Sequence, residues 1–204
     1  MKDEQIRAAF HRRFLRRHHE DTDTLVVDEL GLKHGKRRAD IAVINGHLNG
    51  YEIKGDEDSL ARLEGQVEAY SAVFDKATLV VAERYQEDVD GLLPAWWGIV
   101  VCSEGPRHAI RFRTVRRARI NQSVDCYSVA QLLWRGEAAE ILAARGVPSK
   151  VLRAKRAVLY AHLVSLVESR ELRTLVRARL KSRSDWRCLP LPSANGGSFR
   201  PVAT

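Results

Sequence analysis

The sequence predicts a mixed α/β fold continued by a C-terminal helical part, and three observations carry that expectation. Apolar runs of strand length recur at residues 24–30, 40–44, 48–54, 77–83 and 98–102. Helical spacing of apolar residues appears at 3–17, ahead of the strands, and at 58–74, between the third and fourth. Beyond Ser123 the pattern is helical only. A strand–helix–strand passage requires a crossover connection, so the sheet is expected to be mixed.

The elements follow in order. Asp3 is placed to cap the first helix, whose stripe is Ile6, Ala9, Phe10 and Phe14, with Arg12, Arg13, Arg16 and Arg17 on the solvent side. HHEDTD at 18–23 is a polar break, and His18 and His19 are read there as a solvated loop. TLVVDEL and DIAVI are strands, and Asn45-Gly46 joins DIAVI to LNGYEIK as a tight hairpin. Asp58 or Ser59 caps a helix to about Phe74, with Leu60, Leu63, Val67, Tyr70 and Phe74 buried. ATLVVAE is a buried strand, followed by helix, loop and the strand GIVVC, with Trp96 and Trp97 sealing the core before it. HAIRFRTV reads as an edge strand. In the helical part, Ser128 and Gln131 fit a capping box, Gly146 and Pro148 end one helix, and a long helix starts near Ser149. A last helix near 170–183 carries Leu172, Leu175, Val176 and Leu180 on one side and Arg173, Arg177 and Lys181 on another. The expected division is residues 1–120, a basic helical domain at 121–187, and a Pro/Gly/Ser-rich disordered tail at 188–204.

Composition narrows the class. Three cysteines at unpatterned positions argue against a disulfide framework and fit a reducing cytoplasm. No run approaches the roughly 18 apolar residues of a membrane helix, and the charged N-terminal residues do not read as a signal peptide. The net charge of +8 is unevenly spread: residues 1–104 hold 14 Lys and Arg against 20 Asp and Glu, and residues 105–204 hold 20 against 6. A basic half suits a polyanionic partner, although a solvated arginine-rich surface has the same composition.

One constellation carries chemistry. Glu52-x-Lys54 alone is weak, because 14 Glu and 8 Lys in 204 residues supply about half a Glu-x-Lys by chance. Its setting makes it informative. Glu52 and Lys54 share one face of a strand, and Asp40 opens the neighbouring strand across the hairpin. Two carboxylates and an ammonium then converge, as metal-assisted phosphodiester hydrolysis requires. The bland reading is a strand-edge salt bridge with Asp40 capping a turn.

The run RADIAVINGHLNGYEIKGDEDSLARLEGQVEAYSAVFDKATLVVAER resembles the core of the PD-(D/E)XK nuclease superfamily, with its Asp at Asp40, its Glu at Glu52 and its Lys at Lys54. Ala39 stands where the motif name has Pro. The chain is also similar to an uncharacterised bacterial group of small proteins with a basic helical C-terminus. The superfamily resemblance covers about residues 3–102 and implies a restriction-endonuclease-like core: helix, three strands, helix, strand. It implies a Mg²⁺-dependent nuclease, with Mn²⁺ substituting, acting most readily on double-stranded DNA and leaving a 5′-phosphate. Asp40 and Glu52 are then metal ligands and Lys54 the catalytic cation. Gln66 and Tyr70, on the following helix, stand where relatives carry supporting residues.

Further candidates are open to more than one reading. Glu29, preferred to Asp28, is a third metal ligand or a solvated strand end. Gln66 orients a ligating carboxylate or is simply exposed. Arg111, Arg113, Arg116 and Arg117 form a nucleic-acid-tracking stripe or a charged edge that discourages sheet association. The C-terminal helices are expected to hold the duplex by phosphate contacts, and a homodimer is an admissible assembly. The rival functions are a catalytically inactive nucleic-acid-binding protein of the same fold, an RNA-directed nuclease, and a regulatory protein whose helical half binds a protein partner.

Overall fold

The computed structural model describes residues 1–184 and Trp186. The expected disorder of 188–204 lies outside the described residues. Six strands form one mixed sheet in sequential order: β1 (Leu25–Leu32), β2 (Arg37–Ile44), β3 (Leu48–Lys54), β4 (Lys76–Ala82), β5 (Gly98–Glu104) and β6 (Ile110–Arg116). β1, β2 and β3 run antiparallel through tight turns. β3, β4 and β5 are mutually parallel, and β6 returns antiparallel as the far edge.

The hairpin at Asn45-Gly46 forms as the sequence predicts, with the His47 N–H donating to Asn45 Oδ1 at 3.0 Å. β3 reaches β4 through α3 (Leu63–Ser71), preceded by a single 3₁₀ turn at Leu60–Arg62 rather than by α-helix from residue 58. Ser59 is the cap, accepting the Ala61 N–H at 3.1 Å, while Asp58 turns back to the Gly55 N–H at 2.7 Å. Between β4 and β5 only 3₁₀ turns occur, at Glu83–Tyr85 and Asp90–Leu92, where the sequence suggested a helix.

The first helix is also shorter than its periodicity. α1 (Asp3–Arg13) stops, and α2 (Arg16–Glu20) follows after a turn at Phe14-Leu15. A continuous helix would bury Phe14; instead the turn drives Leu15 fully into the core and leaves Phe14 38% exposed. Lys2, not Asp3, occupies the cap, its N–H held by Gln5 Oε1 at 3.0 Å.

Two apolar layers sandwich the sheet. On one side Ile6, Ala9, Phe10 and Leu15 pack on Ile41, Val43, Ile53, Val80, Val100 and Cys102. The other face carries Ala42, Ile44, Leu79, Val81 and Ile99 against α3 and the C-terminal helices. These are α4 (Cys126–Ala130), α5 (Arg135–Ala143), α6 (Ser149–Leu152), α7 (Arg156–Leu166) and α8 (Ser169–Ser182). Val129, Leu142, Leu159, Leu163, Leu172 and Val176 join the same cluster as that face. Asp125, not Ser128, caps α4, accepting from Ser128 N at 2.9 Å. The expected long helix from 149 breaks between α6 and α7, where Arg135 Nη2 takes the Leu152 and Ala154 carbonyls at 3.0 and 3.2 Å. That side-chain donor satisfies helix-end acceptors that would otherwise be orphaned. Among the described residues no helix is long and apolar enough to cross a membrane.

Candidate active site

The hairpin register builds the centre. Ile41 pairs with Tyr51 at the end of the β2–β3 register, and Asp40, one step further out, comes beside the Glu52–Ile53 stretch of β3. Asp40 Oδ2 accepts the Ile53 N–H at 2.7 Å, tying the carboxylate to the next strand. Lys54, two residues beyond Glu52, donates Nζ to Glu52 Oε1 at 2.8 Å, and both side chains are buried. The parity of one strand and the turn of one hairpin thus assemble Asp40, Glu52 and Lys54.

Helix α3 completes the arrangement. The Tyr70 hydroxyl donates to Glu52 Oε2 at 2.7 Å and accepts the Asp40 N–H at 3.1 Å. Gln66, one turn earlier, donates Nε2 to Glu52 Oε1. Three donors on a carboxylate that is 1% exposed compensate its removal from water.

Arg7 is the residue that sequence reasoning missed. Its Nη1 donates to the Asp40 carbonyl at 2.8 Å and lies 3.1 Å from Glu29; its Nη2 is 3.4 Å from Asp40 Oδ1 and 3.2 Å from Asp3. The only local signal was Asp3 four residues earlier on the same helix face. Glu29 sits level with Asp40 on β1 but at φ 56°, and its carboxylate is taken by Arg7 and by Arg38 at 3.0 Å. It does not converge on Glu52. Asp28 points to the opposite layer, where it pairs with His11 at 2.9 Å. His11 in turn meets His19 Nε2 at 2.9 Å, so His19 belongs to a half-buried α2 contact rather than to a solvated loop.

Burial and the Glu52 charge push the Asp40 carboxyl up to about 7, against the Ile53 N–H and Arg7, which favour ionisation. Asp3, Glu29, Asp40 and Glu52 share Arg7, Arg38 and Lys54 as their ion-pair partners. Two buried oxygens here, Asp3 Oδ1 and Gln66 Oε1, have no hydrogen-bond partner. Among the described residues no three His, Cys, Asp or Glu side chains converge as a metal cage. Two carboxylates with a nearby amide oxygen nonetheless fit Mg²⁺, which keeps several waters and takes one or two carboxylates.

The profile of a family described as Bacteriophage P4 protein cII matches residues 2–188. The chain belongs to that family. Protein cII of Enterobacteria phage P4 is 29% identical over 126 residues, which are 62% of this chain and 47% of that protein. The chain therefore spans about half the length of this curated relative. A protein of unknown function from Silicibacter pomeroyi aligns with a TM-score of 0.45 at 20% identity, covering 72% of this chain and 93% of its own. None of these three descriptions names an activity.

In this cII-family chain most of the conspicuous cations are already engaged. Arg116 donates to the Trp97 carbonyl at 2.7 Å and to Asp90 at 3.0 Å, so it fastens the β5 entry instead of extending a free stripe. Arg117 lies beyond the end of β6, away from Lys54, whereas Arg111 and Arg113 are exposed. On α8, Arg173 and Arg177 converge on the buried Asp75 at 3.2 and 3.7 Å, and Lys181 pairs with Asp23. These three, read from the sequence as a basic ladder on the last helix, pin the helical half of the cII-family chain to the sheet. Trp97 is fully buried, as the sequence predicts.

Proposed function

We propose that the chain is a Mg²⁺-dependent nuclease built on a PD-(D/E)XK-like, restriction-endonuclease-like core, with DNA as the preferred substrate. The observation that carries the reading is the buried Lys54–Glu52 contact at 2.8 Å, set beside Asp40 across the hairpin. A buried ion pair is weak as a stabilising device, since desolvation offsets most of its attraction, so its retention beside a second carboxylate favours a chemical role. The order α1, β1, β2, β3, α3, β4, with β3 and β4 parallel, supports the same reading.

Asp40 and Glu52 would hold the cation, and Mn²⁺ is expected to substitute. Once bound, Mg²⁺ supplies phosphate polarisation and a more acidic water. The remaining work falls to the chain. Lys54 sets an ammonium beside the charge that develops on the phosphate oxygens. Gln66 and Tyr70 fix the Glu52 rotamer, and Arg7 holds Asp40 in place. Lys54 pairs with Val81, Val81 with Val101 and Val101 with Arg113. Arg113 is therefore level with Lys54 on the same face, three strands and about 14 Å away. Arg111 follows on that face, and together they suit backbone phosphates flanking the cut.

Nicking of supercoiled plasmid with Mg²⁺, with Mn²⁺ and with EDTA, run beside structured RNA and repeated with Lys54→Ala, tests the proposal. Expected is metal-dependent cleavage that Lys54→Ala abolishes. Metal-independent cutting, or a fully active Lys54→Ala protein, sinks it. Salt-sensitive DNA binding without cleavage would transfer the case to a non-catalytic binding protein.

A further inference from the structure

A pocket of about 370 Å³ opens at the seam between the β1–β2 tip and the C-terminal helices, lined by His34, Trp134, Arg135, Arg156, Arg183 and Trp186 among others. Its chemistry is aromatic and cationic together. Trp134 is 54% exposed, although it heads α5 with its N–H held by Glu137 at 2.7 Å. The Arg183 guanidinium lies 4.2 Å from the Trp134 ring and 5.2 Å from that of Trp186, and is neutralised by Glu137 at 2.8 Å. The Trp134 indole thus has a guanidinium against it while the residue stays 54% exposed, which leaves ring surface for a stacked base.

The wall opposite is equally specific. Lys33, His34 and Gly35 are successive residues at positive φ (47°, 58° and 81°), a conformation that costs a non-glycine residue energy and persists where a site is shaped. The His34 ring is fixed by stacking on Tyr160 at 5.5 Å. Arg135 is anchored on two carbonyls, Arg156 is exposed, and neither has an ion-pair partner among the described residues. Two further lining residues, Leu30 and Gly31, pair with Ala39 and Arg38, the two residues that precede Asp40. At about 3.3 Å per strand residue, the pocket wall starts within about 7 Å of the Asp40 level.

We propose that this pocket is a subsite for an unpaired nucleotide of a single-stranded nucleic acid, stacking its base on Trp134 and placing its phosphate between Arg135 and Arg156. Bases inside a duplex have no free face to offer an indole, so the subsite selects single-stranded or frayed substrate over intact duplex. Its position next to the scissile phosphate rests on the nuclease reading; its ability to bind a strand does not.

Anisotropy titration of labelled oligothymidylate in EDTA, where no cleavage occurs, separates the two. Wild type is expected to bind the oligonucleotide in the absence of metal. Trp134→Ala and Arg156→Ala should each weaken it about tenfold or more, with Trp134→Phe retaining most of the affinity and blunt duplex binding unaffected. Circular dichroism of each variant confirms folding. Unchanged oligonucleotide affinity in both alanine variants, or an equal loss for duplex, overturns the subsite. Competition by thymidine monophosphate as effective as by the strand overturns the assignment to a polynucleotide. Trp134-dependent strand binding without any plasmid nicking would leave the subsite standing and remove the nuclease.

Discussion

The Tyr70 hydroxyl bridges the two halves of the candidate site: it donates to Glu52 Oε2 at 2.7 Å and receives the Asp40 N–H at 3.1 Å. Burial holds its pKa well above the usual phenol value, so it stays a proton donor through neutral pH. Tyr70→Phe removes one bond to a buried carboxylate and orphans a backbone N–H. The expected cost is about 1–3 kcal/mol in stability, read by urea unfolding. Calorimetric Mg²⁺ affinity should fall about tenfold or more, because Glu52 loses the donor that orients it. Unaltered metal affinity would mean that Tyr70 only packs.

Asp40 makes stability depend on pH in an unusual sense for a carboxylate. Its folded pKa, about 7, lies above the ordinary value of 3.8, so the folded state retains the proton longer. The associated stabilisation is complete below the ordinary value and is lost as pH rises through about 7. Asp40→Asn should flatten the fall in Tm across that window. A divalent cation favours the ionised form, so the Tm gain on adding MgCl₂ should grow from acid to mildly alkaline pH and vanish in Asp40→Asn. A gain independent of pH would separate the cation from Asp40.

Asp75 holds the helical half to the sheet. It is 4% exposed, accepts the Leu48 N–H at 2.8 Å, and faces Arg173 and Arg177 on α8. Asp75→Ala strands two guanidinium groups and a strand N–H. Because both arginines keep some solvent contact, a loss of about 3 kcal/mol is expected, at the lower end for a broken buried pair. Urea denaturation measures it, and a loss under 1 kcal/mol would show that apolar packing alone secures α8.

Gly50 lies beneath Phe74. A Cβ there would come within 2.6 Å of the ring, at a point in β3 two residues before Glu52. Gly50→Ala must shift a fully buried aromatic on the segment that follows α3, at a cost of about 1–3 kcal/mol. The displacement should also weaken Mg²⁺ binding through Tyr70, whose ring centroid lies 5.0 Å from that of Phe74. A neutral Gly50→Ala would show that the Phe74 ring has room to give.

What the sequence determined by itself was local: the turn at Asn45-Gly46, the common face of Glu52 and Lys54, the place of Asp40 across the hairpin, and Gln66 and Tyr70 on the next helix. Each follows from a strand period of two, a tight turn or a helical turn, all fixed within a few residues. Tertiary structure decided what separations of tens of residues conceal. Arg7 reaches Asp40 across 33 positions and Arg173 reaches Asp75 across 98, so one charge that local patterns do not single out and one that reads as part of a basic helix ladder both prove to be internal clasps. Leu15 is fully buried and Phe14 is 38% exposed because the chain turns after Arg13 instead of continuing the helix. Periodicity reports which face of an element is apolar, but the partner of a charge is chosen by packing, and packing is a property of the whole chain.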